Sequence, residues 1–186
     1  MGIALLLAAM LFQEPPPAGS LKPIIDNERA RVWDVKDAVP TTKTSEDTVV
    51  VELSGKAHFV PKGGTLAIMG HSIVIDVKDH APNAMKNTTG FPLAFPRPGS
   101  KKILENSKVI VWDYTWKTGV ATPMHFHNKD VVVTYLENGD LKSTTPDAKV
   151  TVNQYKFGDV RFNLRDRVHT ETLVVGKQHA IITEFK

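Results

Sequence analysis

The residues of this 186-residue chain best suited to chemistry are three histidines, His125, His127 and His169. His125 and His127 flank Phe126, and His169 follows in a later strand-like stretch. Two imidazoles at i and i+2 on a strand point to one face and can share a metal without bending the backbone. Neutral imidazole suits zinc, iron, nickel and copper. A His-x-His pair alone is weak evidence, but a third imidazole from a neighbouring strand would close a facial three-nitrogen site. The chain has no cysteine, which excludes a thiolate-held zinc or iron–sulfur centre, a disulfide framework and a thiol nucleophile. It contains no Gly-x-Ser-x-Gly, which argues against a serine hydrolase, and no phosphate-cradling glycine loop.

The elements that must position these histidines are short. Runs rich in β-branched and aromatic residues recur at 48–53, 73–78, 108–116, 131–136, 149–153, 159–163, 172–175 and 180–185, and no stretch reads as a long amphipathic helix. Many short strands between frequent turns predict an all-β sandwich or barrel. Glu137-Asn138-Gly139-Asp140 predicts a hairpin, because Asn-Gly supplies the positive φ angles of a type I′ turn. Three segments also recur in the same order. Val32-Trp33-Asp34 returns as Val111-Trp112-Asp113, and the stretch 47–55 parallels 130–139. The third pair is 71–78 and 179–186, each opening on a histidine. Between the halves, residues 79–107 carry Pro82, Pro92, Pro96 and Pro98, and proline is confined to sheet edges, so this reads as a connector.

The second half resembles the cupin superfamily of RmlC-like jelly rolls. The first cupin motif runs Gly, five residues, His-x-His, three or four residues, Glu, six residues, Gly. Gly119, His125, His127 and Gly139 fill it, and Val132 stands in the Glu slot at the four-residue spacing. The second motif runs Gly, five residues, Pro-x-Gly, two residues, His. Gly158 and His169 match it, while Leu164 and Asp166 replace the Pro and Gly. The first half keeps the complementary fragment, Gly55 and Pro61-Lys62-Gly63, with Leu66 in the His slot and no His-x-His after Asp34. The resemblance covers residues 28–78 and 107–186. It implies a double-stranded β-helix in tandem: a degenerate module over 28–78, the connector over 79–107, and a module over 108–186 that keeps the histidines. It also implies a divalent transition metal (Fe, Mn, Ni, Zn or Cu) held by His125, His127 and His169. With valine in the Glu slot, three arrangements stay open. Water completes a three-histidine site, Asp130 swings into the vacancy, or the imidazoles bind a ligand without metal.

Other residues carry weaker signals. Glu171 shares a strand face with His169 and suits an acid/base or an orienting role, although a surface ion pair with Arg165 or Arg167 is the simpler expectation. Tyr135 and the stripe Trp112, Tyr114, Trp116 read as core before ligand cage. His71 and His179 occupy equivalent repeat positions and read as structural, and His58 and His80 have no evident partner. Two function classes follow. One is a metal-dependent enzyme, oxygenase- or isomerase-type, acting on a small molecule. The other is a non-enzymatic ligand-binding or structural barrel with a vestigial or empty site.

Composition agrees with either class. The chain is 41% hydrophobic and 23% charged with formal charge +3, and its basic residues are scattered, so no nucleic-acid footprint is visible. Ten apolar residues at 3–12 are too few to span a bilayer but have the length of a signal-peptide core, although no basic residue precedes them. The expectation is a leader over 1–19, a secreted or periplasmic protein, and no stable membrane insertion. A homodimer would cover the open sheet edges such barrels leave.

Overall fold

The computed structural model describes residues 22–81 and 84–186. The leader expected over 1–19 lies outside these residues. Among the described residues every regular element is a strand. The first half comprises β1 (Ile25–Asp26), β2 (Ala30–Val35), β3 (Val39–Lys43), β4 (Asp47–Glu52), β5 (Ala57–Val60), β6 (Thr65–Ile68) and β7 (Ser72–Val77). The second comprises β8 (Lys101–Glu105), β9 (Val109–Trp116), β10 (His125–His127), β11 (Val131–Tyr135) and β12 (Gly139–Thr144). It continues through β13 (Val150–Tyr155), β14 (Val160–Asn163), β15 (Arg167–Gly176) and β16 (Gln178–Phe185).

Hydrogen bonding sorts these into sheets of order β1-β2-β7-β4-β5, β14-β11-β16-β9-β8, β10-β15-β12-β13 and β3-β6. The order β2-β7-β4-β5 corresponds strand for strand to β9-β16-β11-β14, and the pair β3-β6 to β10-β15. The register corresponds too: Trp33 faces Val74 and Asp34 faces Ile73, while Trp112 faces Ile182 and Asp113 faces Ile181. The second half alone adds the hairpin β12–β13, which extends the wall around the histidines.

Strand alternation explains where the cores form. Odd positions of β9 (Val109, Val111) and even positions of β11 (Val132, Leu136 just beyond) meet Val32, Val49, Val51, Ile73 and Ile75 in one core between the two five-stranded sheets. The opposite faces, with Trp112, Tyr114, Trp116, Val131, Val133 and Tyr135, line the interior of the second barrel. Sheets with two buried faces read as nearly continuous apolar runs, which is why 48–53, 131–136 and 180–185 stand out in the sequence.

Several local expectations change. Asn138-Gly139 closes no hairpin, because β11 pairs with β14 and β16 while β12 pairs with β13 and β15. Gly139 is required there by crowding: a Cβ would lie 2.4 Å from the Lys177 carbonyl oxygen. The stretch 79–107 ends in a strand, β8, which is proline-free and sits at a sheet edge beside β9. Asp166, in the slot of the motif glycine, takes the left-handed conformation (φ 63°) that Gly63 takes in the first half (φ 76°). His71 and His179 make equivalent contacts in the two halves. Their Nε2 atoms lie 2.5 Å from Asp34 Oδ1 and 2.7 Å from Asp113 Oδ1. Each imidazole abuts the turn glycine of the other half, His179 near Gly55 and His71 near Gly158.

Asp130 neither ligates nor sits in solvent. It is completely buried, its Oδ2 2.7 Å from Arg165 Nη1 and 3.1 Å from Arg29 Nε, and its Oδ1 accepts the Arg165 backbone N–H at 2.7 Å. The Arg29 side chain is itself only 2% exposed. Removing one member of a buried ion pair leaves the other charge uncompensated. Asp130→Ala is therefore expected to lower the unfolding free energy by about 3–5 kcal/mol in urea denaturation. A loss below about 1 kcal/mol, the scale of an exposed pair, would contradict this role.

Candidate metal centre

The antiparallel register of β10 and β15 brings the three histidines together. His125 pairs with His169 and His127 with Arg167, so all four side chains project to the barrel interior. His127 Nε2 lies 3.2 Å from His125 Nε2 and 3.1 Å from His169 Nε2. Among the described residues this is the group of donor side chains close enough to hold one ion. His125 Nδ1 lies 2.7 Å from the Pro123 carbonyl oxygen. A carbonyl only accepts, so Nδ1 carries the proton and the Nε2 lone pair points inward. Ser143 Oγ, on β12, stands 3.2 Å from His169 Nδ1 and orients the third ring.

Electrostatics keep the rings neutral. Burial, reinforced by the Arg97 guanidinium, pushes the His125 pKa down to about 4. Burial likewise lowers His127 well below the ordinary imidazole value, and His169 to a lesser degree. Three neutral imidazoles with converging Nε2 atoms fit a late first-row divalent metal, since the set carries no charge of its own.

Around the rings the structure gathers residues that spacing did not reveal. The β11 side chains facing the interior are Val131 and Val133, while Val132 belongs to the core between the sheets. The vacant carboxylate slot is therefore Val131, at the three-residue spacing, and it too is apolar. A carboxylate enters from β15 instead. Glu171 Oε1 lies 3.9 Å from His169 Nε2. Its Oε2 accepts from Arg97 Nη1 at 3.4 Å and Trp116 Nε1 at 3.3 Å. It pairs with neither Arg165 nor Arg167 as the sequence suggested. Burial works to raise the Glu171 pKa, but the Arg97 guanidinium and the neighbouring imidazoles overcome it and hold the carboxyl below its usual range.

Arg97 comes from the proline-rich connector. Residues 92–94 run beside β10, with Phe126 N donating to the Pro92 carbonyl and Ala94 N to the Phe126 carbonyl. This path lays the Arg97 guanidinium 3.9 Å above the Tyr114 ring and 3.4 Å from His125 Nε2. The aromatic stripe is thus core, and Tyr114 and Trp116 also form the platform on which Arg97 rests. No spacing rule links residue 97 to residue 171. The one sequence signal was a lone arginine held between two prolines.

A cavity of about 120 Å³ opens beside the rings, lined among others by His127, His169, Glu171, Arg167, Tyr135 and Tyr155. Tyr135 and Tyr155 stack at 3.9 Å and form one wall.

No family model matches the sequence, and no curated protein matches it. Solved structures are similar in fold. A cupin domain from Bordetella pertussis Tohama I is 23% identical over 50% of this chain and 99% of its own, with TM-score 0.43. A cupin 2 conserved barrel domain protein from Leptotrichia buccalis is 12% identical over 88% of this chain and 87% of its own, with TM-score 0.48. The polyketide cyclase RemF from Streptomyces resistomycificus is 18% identical over 54% of this chain and 78% of its own, with TM-score 0.38.

The buried histidines make acid stability a test of the site. An imidazole whose folded pKa is depressed contributes stability above its unfolded value near 6.5 and loses it as pH falls through the folded value. The melting temperature of metal-free protein is expected to fall between about pH 6.5 and pH 4, the range set by His125. His125→Asn, which can still donate to the Pro123 carbonyl, is expected to flatten the curve, and parallel curves would refute the buried neutral imidazole. On the evidence of their own strand order, and of histidines gathered in one barrel interior, the described residues form an all-β, double-stranded β-helix of the cupin fold.

Proposed function

We propose that the protein binds one divalent transition metal through His125, His127 and His169 and acts there on a small molecule. The observation that carries this reading is the convergence of three neutral imidazole nitrogens within 4.8 Å of one another. Such a set has no structural need to be polar, since burying imidazoles without a common partner costs stability. A metal bound on one three-nitrogen face would keep open positions for water or substrate and supply Lewis-acid polarisation of a bound oxygen.

The chain's own groups suit proton movement beside that face. Glu171, held ionised by Arg97, is placed to accept a proton from a ligand near His169, with Trp116 Nε1 fixing its second oxygen. The stacked pair Tyr135 and Tyr155 screens the cavity from one side. The corresponding strand orders of the two halves support a tandem duplication in which the first module lost its imidazoles. Export, on the apolar segment at 3–12, and a homodimer belong to the same proposal. The exposed Val150 and Val152 on edge strand β13 favour the dimer.

The apolar Val131 in the carboxylate slot favours a second reading, a ligand-binding barrel that no longer holds metal. Elemental analysis separates the two. Purified protein is expected to carry close to one equivalent of Fe, Mn, Ni, Zn or Cu, lost in His125→Ala and in His169→Ala. Folded protein that takes up no metal under any loading condition would leave the second reading.

A further inference from the structure

Arg167 is the cationic group in this cavity that makes no direct ion pair. It lies directly across the β10–β15 ladder from His127, so its side chain shares the interior face with the three rings. Its Nε donates to the Leu164 carbonyl at 2.5 Å. Among the described residues no carboxylate stands within ion-pair distance, and its two terminal nitrogens have no hydrogen-bond partner. The Arg167 side chain lines the cavity. Arg97 differs, since Glu171 answers its charge. With neutral imidazoles, the cavity wall carries two guanidinium groups against one carboxylate, a formal excess of one positive charge. A divalent ion on the rings would only increase that excess.

We propose that the cavity binds a small organic acid, its carboxylate bidentate on the free edge of the Arg167 guanidinium. A planar fork with two unused donors matches a carboxylate in geometry as well as charge. Asn153, Asn163 and Ser143 also line the cavity and offer hydrogen bonds to further oxygens, and the Tyr155 ring offers an apolar face to a short carbon skeleton. Because Arg167 stands opposite His127, a carboxylate on its fork carries the rest of the molecule toward the imidazole nitrogens. The proposal deepens the reading above by naming the ligand class of the same cavity. It rests on that reading for the cavity and not for the metal.

The test is a titration of isotopically labelled full-length protein with acetate, pyruvate and the neutral analogue acetamide, at constant ionic strength. Amide chemical shifts are followed in metal-free and in zinc-loaded samples. Both carboxylates are expected to give saturable shifts at Ser143, Asn153 and Arg167, and acetamide none. Arg167→Gln is expected to weaken carboxylate binding by roughly tenfold to a hundredfold, the range for a lost charge-assisted pair, and Arg167→Lys by less. The proposal is overturned by an equal response to acetamide, by unchanged affinity in Arg167→Gln, or by no saturable shift in either sample. The unmodified protein decides the acetate–acetamide comparison even if a variant fails to fold. Metal content is measured on the same samples. Carboxylate binding without metal uptake sinks only the metal reading, and metal uptake without carboxylate binding sinks only this one.

Discussion

The arrangement of this site depends on one buried carboxylate. Asp130 sits in the short turn after His127, and both of its oxygens are committed. It takes the backbone N–H and guanidinium of Arg165 from the turn before β15, and the Nε of Arg29 from the start of β2. The Asp166 N–H donates to the His127 carbonyl at 2.8 Å, which closes the same latch from the other side. Two turns that lie far apart in sequence are thereby held together. The register they impose on β10 and β15 is what sets His125 opposite His169. The desolvation of Asp130 and Arg29 is offset because they satisfy one another, with Arg165 completing the pairing at the rim.

The same contact ties the histidine-free half to the histidine-bearing one. Arg29 reaches across from the first half, and the broad apolar core between the two five-stranded sheets surrounds that reach. The first half thus does mechanical work for a site to which it supplies no ligand. Its own barrel interior is small, built around Val35, Ile68 and Val74, and the hairpin corresponding to β12–β13 is missing. In the second half that hairpin supplies Ser143 and Tyr155, one orienting His169 and the other walling the cavity. The structural difference between the halves therefore coincides with the presence of a cavity beside the rings.

Charge around the rings follows a consistent logic. The imidazoles are neutral because they are buried, the carboxylate beside them stays ionised because Arg97 stands against it, and Arg97 is held in place by aromatic faces. Each group's state is set by its neighbour's position, so the site behaves as a unit. Valine at 131 fits this pattern. With Glu171 entering from β15, a second carboxylate from β11 would compete for the same cationic surroundings.

Much of this protein was legible in its residues alone. Period-two alternation and β-branched runs identified most strands of the second half, and the His-x-His spacing with a distant third histidine identified the ring set. Such features are local, because the facing of a side chain on a strand depends only on its parity. What only the tertiary structure decided involves parity across a turn or contacts between distant segments. Spacing put the carboxylate slot at Val132, and the structure moves it to Val131, because the turn at 128–130 sets the phase of β11. Asp130 looked available to a metal until Arg29 and Arg165 arrived from 101 and 35 residues away. Glu171 looked bound for a surface arginine until the connector folded back and laid Arg97 against it. A connector's path is dictated by the packing it must satisfy at both ends, and no periodicity records that path.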